Sequence, residues 1–188
     1  MRPSKRDELV RKALEIFYRH GFHATGMDRL VAETGISKTS MYNHFRTKED
    51  LILAVLSLRD DLFRSRLFNR MAELADTPEG QLLASFDALA EWFREEGFRG
   101  CMFIKASSEY QEADHAIHIQ AAEHKRLLEA HMTGLARAAG FADPVTVARQ
   151  LLILKEGAIV TAHLGHTPNP AGDARAAAAV LLAAAARQ

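Results

Sequence analysis

Lys38, Thr39, Ser40, Tyr42, Asn43 and His44 gather cationic and hydrogen-bonding groups into one short stretch of a 188-residue chain. If that stretch is a helix, turning 100° per residue, Thr39 and Asn43 share one side while Met41 and Phe45 face the opposite way. Thr and Asn offer donors and acceptors with little apolar area, which suits base edges in a DNA groove. Lys38 beside them can reach a guanine or a phosphate, and Ser40 can serve either role. Tyr42, His44 and Lys48 fall on the flanks, where a phosphate backbone would pass. Thr25 and the first amides of the helix it precedes offer a phosphate seat. Any one of these residues alone reads better as a solvated polar group on a surface helix.

The surrounding elements favour the nucleic-acid reading. Thr25 with Asp28 has capping-box spacing, and Gly35 is a plausible left-handed stop, which predicts a helix over 26–34. Ser37 can cap a second helix over 38–45, leaving only Gly35, Ile36 and Ser37 as the turn. Thr47 with Asp50 repeats the capping pattern and opens another helix. Met41 and Phe45 can pack on Leu30, Val31 and Ile36. Upstream, Ser4 with Asp7 opens a helix carrying Leu9, Ala13 and Phe17 at spacing four, and Gly21 closes it. Two short helices joined by a tight turn, behind a supporting helix, present a recognition helix to a major groove.

Thr25, Ala32, Gly35, Ser37, Lys38, Tyr42, Phe45, Lys48 and Leu51 are placed as in the DNA-binding domain of TetR-family transcriptional regulators, which the chain resembles over roughly Lys5 to Leu53. Beyond that point it is similar to the family only in length and helical pattern. The resemblance implies an all-α fold of nine helices: an N-terminal three-helix DNA-binding domain with a helix-turn-helix over 1–47, and a helical ligand-binding and dimerisation domain over 48–188. It also implies a dimer, and a repressor released from its operator by a small molecule.

Charge distribution agrees. Lys plus Arg equals Asp plus Glu at 24 each, but residues 1–48 hold 10 basic and 5 acidic side chains and the remainder 14 and 19. A head of net +5 on a body of net −5 would be oriented towards a polyanion, with an attraction that weakens as salt rises. At 48% hydrophobic the chain can bury a substantial core. One cysteine, Cys101, excludes an intrachain disulfide framework and a Cys-based zinc finger. No signal peptide or apolar run of about 18 residues is evident, so a soluble cytoplasmic protein is expected.

In the body, Leu51, Val55, Leu58 and Leu62 make a stripe on a long helix after Thr47. Pro78 opens the next, with Leu82, Phe86, Leu89 and Phe93 on one side until Gly97. A short apolar segment, Cys101 to Tyr110, is followed by a helix from about Asp114 to Ala139. Pro144 starts another, reaching about Leu164, and the last begins near Ala171. The final two helices are rich in Ala, with Leu151, Leu152, Ile159, Leu181 and Leu182 interleaved. They read as a dimer-forming four-helix bundle, or as a cover for their own monomer. Two heads would then read half-sites roughly 34 to 36 Å apart on a near-palindromic duplex.

An effector, if one binds, would meet apolar walls from Phe86, Trp92, Phe93, Met102, Phe103 and Tyr110, each of which can also be plain core. His124 and His131 interrupt the apolar stripe Ile117, Ala121, Leu128, Leu135, where they could bond a ligand, as could Leu128 by contact, or a neighbouring helix. His115 and His118, with Glu112 and Asp114, carry a weak metal pattern, and no metal or other cofactor is expected. Cys101 after Gly100, with Lys105 one turn on, allows a redox- or electrophile-sensing thiol, or a packed small hydrophobe. A helical interaction protein without a specific operator is the remaining alternative. An enzyme is not expected, because no nucleophile elbow, Gly-rich phosphate loop or paired carboxylates are evident.

Overall fold

A computed structural model describes residues 4–188. Among them are nine α-helices: α1 (Lys5–His20), α2 (Met27–Thr34), α3 (Lys38–His44), α4 (Lys48–Leu74), α5 (Pro78–Phe93), α6 (Met102–Glu109), α7 (Ala116–Ala138), α8 (Pro144–Leu164) and α9 (Pro170–Ala184). The described residues contain no β-ladder beyond one isolated bridge between Phe141 and Arg187.

Most helix starts follow from short polar side chains that accept from amides with no partner inside the helix. Ser4 accepts from Asp7, Ser37 from Ser40, Thr77 from Gly80, Asp143 from Thr146 and Asn169 from Gly172. Pro78, Pro144 and Pro170 stand in first turns, where the missing N–H removes nothing. At α4 the box is reciprocal: the Thr47 amide donates to Asp50 and the Asp50 amide to Thr47 Oγ1, both at 3.0 Å. The expected box at Thr25 does not form. Gly26 is the N-cap and contributes no side chain, while Thr25 is fully buried, its hydroxyl donating to the Gly21 carbonyl at 2.7 Å.

The chain forms two compact units. One takes residues 4–62 together with Met102–His124; the other is Phe63–Cys101 with Lys125–Gln188. In the first, Leu9, Val10, Ala13, Phe17, Phe22, Leu30, Met41, Leu51, Ile52, Val55 and Leu56 are buried. The predicted α4 stripe is therefore shifted: Ile52 and Leu56 are core, whereas Leu58 is half-buried and Leu62 is exposed. In the second unit, α5, α7, α8 and α9 enclose Leu82, Phe86, Met132, Phe141, Leu151 and Leu182, and Leu67, Met71, Ala88, Leu128 and Leu152 form a second cluster.

Candidate nucleic-acid interface

Helix α3 is short, so its orientation depends on tertiary burial and on its two ends. Met41 is buried within the helix and Phe45 just beyond it, with Leu30 of α2 buried as well; Val31 and Ile36 are half-buried. Gly35 ends α2 at φ +69°, ψ +10°, a conformation in which a Cβ would be strained. The Ser37 hydroxyl accepts from the Ser40 amide at 3.3 Å. Lys12 of α1 donates to the Thr34 carbonyl at 2.8 Å, so the end of α2 is tied to α1.

With that core turned inward, Lys38, Thr39, Tyr42, Asn43 and His44 are exposed, and Ser40 is half-buried. Lys38 meets Asp28 at 3.2 Å on the surface. An exposed pair of this kind contributes about 0 to 1 kcal/mol, so Lys38 can exchange Asp28 for a phosphate at little loss. Lys48 is more constrained: its ammonium donates to the Phe22 carbonyl at 3.1 Å, leaving two further N–H groups. Thr25 faces inward, so only the amides at the start of α2 remain for a phosphate there.

A residue that sequence reasoning missed shapes the turn between α1 and α2. The Glu109 carboxylate, at the end of α6, accepts from the amides of Phe22 at 3.0 Å and His23 at 2.5 Å. Gly21, at φ +84°, makes this approach possible, because a Cβ there would stand 2.9 Å from Glu109 Oε1. Beside it the Tyr110 ring stacks edgewise on His23 at 4.6 Å and on Phe22 at 6.5 Å. Burial, helped by Glu49 and Glu109, pushes the Tyr110 phenol up to about 12. Nothing near residue 22 signals a carboxylate 87 positions later.

The nine candidate effector residues are divided between the two units. Met102, Phe103, Tyr110 and His124 belong to the first; Phe86, Trp92, Phe93, Leu128 and His131 belong to the second. His124 is buried, bonded through Nδ1 to Asp60 at 2.6 Å and stacked on Phe103 at 3.7 Å. It is satisfied within the protein. His131 stacks on Phe68 at 3.7 Å, and burial lowers its pKa. Phe86 lies in the α5–α9 core, while Trp92 and Phe93 join Phe63 and Phe98 in a cluster of rings.

His118 Nδ1 lies 2.8 Å from the Tyr110 carbonyl, and His115, which precedes α7, accepts from the Ile117 amide. Among the described residues no group of three or more His, Cys, Asp or Glu is placed to hold a metal ion. Cys101 is buried, and the cation at its sulfur is Lys125 at 3.3 Å. Lys105, expected there, instead directs its ammonium to the carbonyl and ring of Tyr18.

Sequence reasoning also missed Lys155 and Glu156 of α8. The signal was present: Lys155 follows Leu151 and precedes Ile159 by four residues each, on a face whose other members are apolar. Lys155 is 1% exposed and its ammonium has no hydrogen-bond partner. Lys125 Nζ holds Glu156 Oε2 at 2.6 Å, while Glu156 Oε1 is buried and unpaired.

Among the described residues no helix is long and apolar enough to cross a membrane. The family model described as bacterial regulatory proteins, tetR family, matches residues 9–55. A TetR-family transcriptional regulator from Streptomyces coelicolor, of solved structure, is 30% identical, with 97% of this chain and 90% of that one covered and a TM-score of 0.89. The HTH-type transcriptional regulator YjdC of Escherichia coli is 26% identical over 82% of this chain and 81% of its own. The HTH-type transcriptional repressor KstR2 of Mycolicibacterium smegmatis is 36% identical over 46% of this chain and 43% of its own. Given an outward polar row on a capped recognition helix and this likeness along nearly the whole chain, the protein belongs to the TetR family of DNA-binding transcriptional regulators and is not an enzyme.

Proposed function

We propose that the protein is a dimeric repressor that binds a near-palindromic operator and leaves it when a small molecule occupies its body. The observation that carries the reading is the division of α3: Met41 turns inward and Thr39 and Asn43 turn outward. Thr39 and Asn43 read base edges, with Lys38 and Ser40 beside them. Tyr42, His44, Lys48, Ser37 and the first amides of α2, which follow Thr25, fix register on phosphates. Residues 1–47 act as the reading head and 48–188 as the regulatory body. Operator DNA lies in the bacterial cytoplasm, where we place the protein.

Dimerisation through α8 and α9 is supported by what those helices leave uncovered. Ile153, Gly157, Val160 and Leu164 lie at spacings of four, three and four and are all exposed; Ile153 is 65% exposed and Leu164 67%. On α9, Ala176, Ala177, Val180 and Ala184 form a similar exposed row. Large apolar side chains on α8 set against the small alanines of α9 can interdigitate in a two-fold bundle. The repressor sign follows the relative named as one. The effector must bind the DNA-free arrangement more tightly, since equal affinity for both would shift nothing. We assign α4, which starts directly after the head, to carry that difference.

Selection from randomised duplexes tests the reading. A two-fold symmetric site with half-site centres about one helical turn apart is expected. Recovery of no preferred sequence would overturn it.

A further inference from the structure

An ammonium buried without a partner is expensive, because several kcal/mol of lost hydration are returned only when an opposite charge or hydrogen bonds replace the water. Lys155 is nearly in that position: its Nζ has no hydrogen bond, and the face of the Phe63 ring at 5.5 Å together with the Glu156 charge offsets its burial only in part. Its neighbour on the helix has the complementary deficit, as Glu156 Oε1 is buried without a donor. Lys125 does not satisfy Glu156 Oε1, since it donates to Glu156 Oε2 at 2.6 Å and Cys101 Sγ at 3.3 Å, and as a second cation it adds to the cost of Lys155. Two ammonium groups therefore stand against one carboxylate, with an acceptor missing at Lys155 and a donor missing at Glu156. Phe63 meets Trp92 edgewise at 5.1 Å, and Trp92 meets Phe98 at 4.9 Å, so apolar rings lie next to the unpaired amine.

We propose that Lys155 and Glu156 are the polar end of the effector site, and that the effector is a small organic acid bearing a carboxylate and a hydroxyl on an apolar body. The carboxylate accepts from Lys155 Nζ and balances the surplus charge. The hydroxyl donates to Glu156 Oε1, and the body packs against the rings around Phe63 and Trp92. This rests on the effector-released reading above and gives it a ligand class. Burial, the largest influence, pulls the Lys155 amine down to about 8, so it is still mostly protonated at neutral pH and able to meet an anion.

Trp92 is the only tryptophan in the chain, so its emission reports the site directly. The full-length dimer is titrated with mandelate, 3-phenyllactate and 2-hydroxyoctanoate, each paired with its uncharged amide. Fluorescence and thermal midpoint are followed with and without operator duplex. At least one acid is expected to change Trp92 emission saturably, raise the midpoint and weaken operator binding, with its amide at least tenfold poorer. In K155M, and in K155Q as the variant that keeps a polar group, the acid should lose at least tenfold in affinity while operator binding without acid stays unchanged. Acid and amide binding equally, an undiminished response in both variants, or no response from any acid would overturn the proposal. Operator binding in the absence of acid is measured separately, so failure of the acid leaves the DNA-binding reading intact.

Discussion

Helices α3 and α8 use polar residues in opposite ways. On α3 the polar side chains are exposed and the apolar ones turn inward, so the surface we propose for DNA is already hydrated and stabilises nothing until a duplex arrives. On α8 a lysine occupies the inward face, where Ala148, Leu151, Leu152 and Ile159 would lead one to expect another hydrophobe. A polyanion can be read from an open surface at almost no loss in folding free energy. A small molecule that water must not outcompete needs a dry site, and its polar group destabilises the empty protein.

The heaviest blow to this contrast would come through the exposed stripe of α8. Ile153→Asp combined with Val160→Asp places two charges on that face, and sedimentation should then give a monomer. Operator affinity should fall by about a thousandfold or more, towards non-specific binding, because one head alone reads a single half-site. A variant that remains dimeric would remove α8 from the interface.

Next in size is the stability of K155M without ligand. Burial brings Lys155 to about 8 in the folded chain, against an ordinary value of 10.5. The unfolded chain thus holds the extra proton between those values, so the penalty is full below about pH 8 and fades as pH rises towards 10.5. Denaturant titration at pH 7 should find K155M more stable than the parent by about 1 to 4 kcal/mol, with the gap narrowing by pH 10. Equal stability at pH 7 would mean that the amine is paired in solution, and the contrast with α3 would vanish.

The smallest effect belongs to the open surface. Asn43→Ala should leave folding unchanged and relax preference at one base-pair position, by about 1 to 3 kcal/mol, in a randomised-site selection. An unaltered preference would move base reading elsewhere on α3.

What could be read in advance was local. Ser4, Ser37, Thr47, Pro78 and Pro144 mark helix starts because a cap or a missing N–H acts within one turn of itself. The same logic misled at Thr25, where the capping spacing is present but the hydroxyl found the Gly21 carbonyl. The outward row of α3 was legible because a two-turn helix with Met41 and Phe45 has only one way to face its core. Partners set by tertiary packing were not: Asp60 with His124, Lys125 rather than Lys105 with Cys101, and Glu109 with the amides of residues 22 and 23 lie 64, 24 and 86 or more residues apart. Lys155 was visible as a charge out of phase with an apolar face, but an isolated break in periodicity does not reveal that the amine lacks a partner.

The carboxylate that closes over Phe22 and His23 also bears on how freely reading heads can be exchanged between regulators. A graft ending at Thr47 would carry the proposed recognition row intact yet leave those two N–H groups to the solvent, and the bend after α1 would lose the acceptor that defines it. Transplants from this protein should therefore take position 109 with them, or place an acidic residue where it can arrive at the same two amides.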